Sequence, residues 1–120
     1  MILNDIKNAL ENVDSNVFYA AVPRMNLLDT WDYIIFRRGK LRKSANSTGY
    51  TDVYEVSIVR EEFVPDGLAD EVINAMRTIP GMREASTDGE FDYMLKPESD
   101  DVVEMLVLEF VKPRKRESNA

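Results

Sequence analysis

The segment from Val102 to Val111 constrains the fold most, because nearly every position in it is apolar. As a strand, it divides its side chains between the two faces of a sheet. One face carries Val103, Met105, Val107 and Val111, and the other carries Leu106, Leu108 and Phe110, interrupted only by Glu104. A strand that is apolar on both faces belongs at the centre of a sheet covered on each side. Two short helices suffice for one face, so we expect a neighbouring subunit to cover part of the rest.

The other elements follow from the spacing of apolar residues. Steps of three and four predict one helix over 2–13 and a second over 66–79, with Asp66 as its N-cap. Strands are expected at 17–22, 31–36, 50–61, 91–95 and 102–111, with a loop or one helical turn at 24–30 and a loop at 82–90. This order indicates a single α+β domain over residues 1–112, with two helices, an extended hairpin arm and a mostly antiparallel sheet of four to five strands. Residues 37–49 are expected to form a projecting basic hairpin loop, and 113–120 a flexible basic tail.

Charged residues are sorted along the chain. Residues 37–43 and 112–116 hold nine of the fifteen Lys and Arg residues and no acid, although the net charge is −7. Such sorting suits a subunit that docks on charged neighbours or lines a passage for a charged polymer. A solvated hairpin end, a solubilising tail and a nuclear import signal are alternative interpretations of the same residues. An isoelectric point near 4.6 argues against nucleic-acid binding as the main activity.

The composition also limits the chemistry. The chain has no Cys and no His, which excludes disulfides, zinc–thiolate sites and Ser-His-Asp or Cys-His catalysis. A carboxylate metal site would need Asp66, Asp70, Glu71, Asp100 and Asp101. Acidic residues are common at helix termini and in turns, which explains their presence at these positions. No apolar run reaches the length of about 18 residues that a membrane span needs. We therefore predict no catalytic, cofactor or metal site, and no membrane partner.

The candidate contact residues are those of the two basic stretches and one apolar face of the last strand. They are Arg37, Arg38, Lys40, Arg42 and Lys43, then Leu106, Leu108 and Phe110, and finally Arg114, Lys115 and Arg116.

Several segments, taken in order, resemble the tail terminator proteins of long-tailed phages of Gram-positive bacteria, also called tail completion or tail-to-head joining proteins. The first is Trp-Asp-Tyr-Ile-Ile-Phe at 31–36, which the basic run follows. The others are 50–54, 58–67, 79–83, 91–93, and 108–110 before the basic residues at 114–116. The resemblance covers nearly the whole chain and includes no catalytic signature.

This resemblance implies a virion protein, assembled in the host cytoplasm, that forms a hexameric ring on the finished tail tube. The ring would stop tube growth, receive the filled head and let DNA pass through its centre, with no enzymatic activity and no cofactor. Its partners would be its own copies, the major tail tube protein and a head-completion or connector protein. We further expect the basic loop to reach a neighbouring subunit or the connector, and the acidic surface partly to face the channel. Another neck protein of similar size and a small acidic cellular adaptor remain alternatives, as does a carboxylate-based hydrolase that binds a divalent metal.

Overall fold

A computed structural model describes residues 2–22, 31–43, 49–85 and 88–115. Within these ranges the elements are α1 (Ile2–Glu11), β1 (Val17–Tyr19), β2 (Tyr33–Lys43), β3 (Gly49–Glu61), α2 (Asp66–Arg77), β4 (Arg83–Glu84), β5 (Glu90–Leu95) and β6 (Val102–Lys115). A single domain with two helices and one sheet is confirmed. The sheet has six described strands and is mixed, because β1 pairs parallel to β2 whereas the other pairs are antiparallel.

Strand β6 is an interior strand of the sheet, as its sequence predicts, and it is paired along both of its edges. The strands follow the order β1-β2-β3-β6, and both β4 and β5 pair with the side of β6 away from β3. β4 lies opposite Val111 and Phe110, whereas β5 lies opposite residues 102–107. The two short strands therefore follow one another along the same flank of β6.

Both helices pack on one face of this sheet, here called the helix face. Ile6 and Leu10 of α1 and Val72 and Met76 of α2 are fully buried there. The strands contribute Ile34, Phe36, Tyr54, Val56, Ile58, Leu106 and Phe110 to the same core. Full burial of one large aliphatic or aromatic side chain contributes about 1.5–3 kcal/mol. This single layer of contacts therefore supplies most of the hydrophobic stabilisation of the domain.

An ion pair attaches the end of α1 to β3. The Arg60 Nη2 and Asp14 Oδ2 atoms are 2.6 Å apart, and both side chains are largely buried. Asp14 also accepts a hydrogen bond from the backbone N–H of Asn16 at 2.9 Å. These contacts fix the turn between α1 and β1.

The hairpin arm differs from the expected loop. Residues 37–43 continue β2 as a strand, and they pair with β3 as far as Lys43 opposite Tyr50. A bulge between Arg38 and Lys40 interrupts this register at Gly39, where a Cβ atom would lie 3.2 Å from Glu55 Oε2. On the other side of β3, Lys115 pairs with Gly49, so residues 113–115 belong to β6 and not to a flexible tail. The expected loop tip at 44–48 and tail residues 116–120 lie outside the described residues.

Three smaller predictions also need correction. Asp66 is not the N-cap of α2, because Pro65 holds that position and no side chain caps the helix; Asp66 lies in the first turn. The expected loop at 82–90 contains β4. The first strand ends at Tyr19, because Ala20 has a φ of 69°, which is incompatible with an extended strand. The segment predicted at 24–30 lies outside the described residues.

Candidate interaction surfaces

The fold brings the two basic segments together at one end of the sheet. β3 lies between them, with Lys43 opposite Tyr50 and Tyr50 opposite Arg114. Two strand spacings of about 4.8 Å therefore place the two basic segments about 10 Å apart. We call the three-stranded unit formed by residues 37–43, 49–55 and 109–115 the basic arm. It contains eight basic and three acidic residues.

Only part of this positive charge is paired. Arg37 donates hydrogen bonds from Nε and Nη2 to Glu55 Oε1 at 3.0 and 2.8 Å. Arg114 Nε lies 3.0 Å from Asp52 Oδ2, and its guanidinium lies 5.7 Å from the centre of the Tyr50 ring. Both arginines are more than half exposed, so these pairs contribute little stability. The remaining basic residues of 37–43, namely Arg38, Lys40, Arg42 and Lys43, form no ion pair with any residue that the structure describes.

The outer edge of the arm is open in the described part of the chain. β1 pairs with β2 only at residues 34–36, and the Ala20 N–H donates a last hydrogen bond to the Phe36 carbonyl at 2.9 Å. Beyond Phe36, no described strand lies along β2 on that side. Backbone N–H and C=O groups at such an edge can pair with another strand. All seven residues from 37 to 43 are exposed.

A second, chemically different edge lies at β5. Eight large apolar side chains are exposed among the described residues. Six of them lie in β5 or near it: Phe63, Phe91, Tyr93, Met94, Leu95 and Val102. Phe91, Tyr93 and Leu95 point to the helix-face side of the sheet, beyond the area that the helices cover. Glu90 and Asp92 point to the opposite side. The β5 edge is therefore apolar on one side and carries two acidic residues beside Met94 on the other.

The face opposite the helices, here called the helix-free face, has an apolar part and an acidic part. Tyr33, Val59, Met94, Val103 and Met105 line a groove of about 60 Å³. This is far below the volume of about 300 Å³ at which small-molecule sites begin. Closer to the arm, Glu55, Asp88, Glu90 and Glu109 surround a second concavity together with Val107. Neither described helix covers this side of the sheet.

The apolar candidates predicted from β6 have to be corrected. Leu106 is 6% exposed and Phe110 is fully buried beneath the chain's own helices. Leu108 is partly buried and packs against the same core. This face of β6 therefore holds the domain together and offers no room for a second subunit. The basic candidates are exposed except Lys115, of which only the backbone is described, and Arg116, which lies outside the described residues.

Sequence reasoning missed the β5 edge. The alternation of Glu90, Asp92 and Met94 with Phe91, Tyr93 and Leu95 predicts a strand, but it does not show that the aromatic side lies beyond the helices. Tyr93 is held in place by Glu104, and the hydrogen bond to that carboxylate raises the pKa of the Tyr93 phenol. Two aromatic residues on one side of a short edge strand are the sequence signal that would indicate an interaction surface of this kind.

The described residues include no group of three or more Asp or Glu side chains that could hold a metal ion. Neither helix in this part of the chain is long and apolar enough to cross a membrane. No protein-family model matches the chain, and no curated protein is significantly similar to it.

Proposed function

We propose that this chain is a structural protein of a phage virion that forms a ring on the end of the tail tube and joins the tail to the head. The segments that resemble tail terminator proteins include parts of β2, β3 and β6, the strands that build the basic arm. In this proposal the ring is a homo-hexamer, and its neighbours are the major tail tube protein and a head-completion or connector protein.

The observation that carries the proposal is the difference between the two edges of the sheet. A ring needs a heterologous interface, in which one surface of a subunit meets a different surface of the next. This chain has a basic edge at 37–43 and an acidic, aromatic edge at β5. The domain is also elongated, with a radius of gyration of 15.9 Å, whereas a compact domain of this length has about 13.6 Å. This elongation is what a subunit with a projecting arm requires.

Passage of DNA is supported by the location of the acidic residues. Phosphate groups bind clustered Lys and Arg regardless of sequence, so a channel that releases DNA should avoid positive patches. The concavity between Glu55 and Glu109 on the helix-free face is lined by four carboxylates. We propose that this surface lies towards the channel, and that the exposed cations of the arm are used in contacts with protein.

Deletion of the gene in the phage or prophage that encodes this chain tests the function. The proposal predicts filled heads and separate tails in electron micrographs of the lysate, with complementation by the wild-type chain. Joined particles of normal tail length in the deletion strain would refute it.

A second experiment tests the arm. Replacing Arg37, Arg38, Lys40, Arg42 and Lys43 by Ser should impair ring assembly or head joining while the chain still folds, because these side chains are exposed. A control variant with Ser at Lys7, Arg77 and Arg83, three exposed basic positions outside 37–43, should assemble normally. Normal assembly and infectivity of the arm variant would exclude a docking role for these residues.

A further inference from the structure

We propose that β5 of one copy binds as an antiparallel strand to the outer edge of the basic arm of the next copy. The register pairs Glu90 with Arg42, Phe91 with Leu41, and Asp92 with Lys40. This inference rests on the ring assembly proposed above, and it identifies the surfaces that form the ring.

Strand direction is consistent with this pairing. β2 is antiparallel to β3, β3 to β6 and β6 to β5, so β5 runs opposite to β2 within one copy. Successive copies in a ring are related by rotation and keep the same orientation. The β5 strand of one copy therefore meets β2 of the next as an antiparallel neighbour. Both edges are unpaired in the described part of the chain.

Charges match on the helix-free side. In β2, Lys40 and Arg42 are opposite Val53 and Thr51 and point to the helix-free side. Glu90 and Asp92 of β5 point to the same side, because they are opposite Val107 and Met105. In a continuous sheet, the proposed register therefore places two carboxylates directly opposite two cations that form no ion pair with any described residue. Opposite charges at such positions stabilise strand pairing.

Apolar groups match on the other side. Leu41 is opposite Asp52 and points to the helix-face side, where it is 53% exposed. Phe91, which is 55% exposed, points to the same side and would cover Leu41 of the next copy. After the bulge at Gly39 the register continues with Tyr93 opposite Arg38, which allows a cation–π contact. A slip by one residue would place the acids against Leu41 and Phe91 against Lys40 or Arg42, so the pattern disfavours registers shifted by one residue.

The same register is compatible with ring closure. Within one copy Glu90 lies level with Ser57 of β3, whereas its proposed partner Arg42 lies level with Thr51, six residues away. Each copy is thus displaced along the strands by about 20 Å, at about 3.3 Å per residue. Four strands at about 4.8 Å separate equivalent edges by about 19 Å, which gives a tilt of about 45°. Closed sheets have strand tilts of about 35–45°.

Disulfide trapping tests the pairing directly. The chain has no Cys, so engineered thiols would be its only ones. Directly opposite residues in antiparallel strands have Cα atoms about 4.5–5.5 Å apart, within the range of about 4.4–6.8 Å that disulfides span. A Leu41→Cys/Phe91→Cys variant should form a ladder of covalent oligomers on oxidation. A mixture of the two single variants should give one mixed dimer and nothing larger.

The matched control is Leu41→Cys/Asp92→Cys, in which the second thiol points to the other side of the sheet. It should form less than about a tenth of the cross-linked product, because its Cβ vectors point apart. The pairing is overturned if Leu41→Cys/Phe91→Cys forms no covalent oligomer at the highest soluble concentration, or if the control links equally well. In the Cys-free chain, Lys40→Glu/Arg42→Glu should weaken association at least about tenfold. Adding Glu90→Lys and Asp92→Lys should restore it, and failure to do so would also overturn the pairing.

This result is independent of the test of function. If the chain is found in virions but 41–91 cross-links do not form, the ring uses other surfaces and only this inference fails. If the cross-links form but deletion leaves head–tail joining intact, the interface stands and the proposed function fails.

Discussion

Truncating Phe110 tests the assignment of the two faces of β6. Phe110 is fully buried on the helix face, whereas Met105 is half-buried on the helix-free face. A fully buried Phe removes about 150–250 Å² from water, and most of that area is the ring. Loss of about 130 Å² at about 25 cal/mol per Å² is about 3 kcal/mol, and the cavity raises the cost. We therefore expect Phe110→Ala to lower the free energy of unfolding by about 4 kcal/mol.

Met105→Ala removes a side chain of similar length from the same strand, but the gap it leaves is open to solvent. We expect a loss of about 1 kcal/mol, because no closed cavity forms. Urea unfolding followed by circular dichroism, with equal m-values for the two variants, gives both free energies. In thermal unfolding, Phe110→Ala should lower the Tm by about 16 °C.

Equal losses for the two variants would refute this assignment, because the helix-free face would then be covered as well as the helix face. Repeating the measurement at several protein concentrations distinguishes cover by the chain itself from cover by a second copy. A loss for Met105→Ala that grows with concentration would identify self-association over this face.

Three further changes test local features. Asp14→Asn should lower the free energy of unfolding by about 2 kcal/mol, a value between those of exposed and buried ion pairs. A double-mutant cycle with Arg60→Gln should give a coupling energy above about 1 kcal/mol. Burial raises the pKa of the Tyr54 phenol above its unfolded value of about 10. The stability that this phenol contributes is therefore complete below about pH 10 and is lost as the pH rises through the folded pKa. Tyr54→Phe should reduce this loss in urea titrations at alkaline pH. Gly67→Ala, in a helical position with no atom near the added Cβ, should raise the free energy of unfolding by about 0.5–1 kcal/mol, whereas Gly81→Ala should lower it by about 1 kcal/mol because Gly81 has a φ of +81°. The same sign for both substitutions, or a loss at Gly67 with a gain at Gly81, would contradict the backbone argument.

The elements with strong apolar periodicity could be predicted from sequence. Tyr54, Val56 and Ile58 alternate with polar residues, and all three lie in the core on the face that the pattern requires. The stripe of α2 is also confirmed at Val72 and Met76. In these segments a single periodicity determines both the element and the side that it buries.

Other parts could not be predicted, because distant residues determine them. Residues 37–43 are charged and contain Gly39, so they carry no strand pattern of their own; pairing with β3 imposes the strand. β4 has only two residues, Arg83 and Glu84, and it is a strand only because these residues pair with β6. The pattern of β6 shows that both faces are apolar, but only the positions of the helices decide which face is the core. For that reason the sequence alone predicts contact with a partner for Leu106 and Phe110, whereas both are buried in the core, and it does not indicate the β5 edge.

The basic arm has opposite electrostatic effects in the isolated subunit and in the proposed assembly. Cations on neighbouring strands, about 5–10 Å apart, repel each other by about 0.4–0.8 kcal/mol per pair in water. The arm has eight such residues and three acids, so its charges destabilise it as long as the subunit is alone. Glu90 and Asp92 of another copy would reduce this repulsion, which favours association. Salt screens both effects over a Debye length of about 8–10 Å. Raising the salt concentration should therefore increase hydrogen-exchange protection of the arm in the monomer and weaken association in sedimentation experiments, whereas an assembly held by apolar contacts alone would be strengthened by salt.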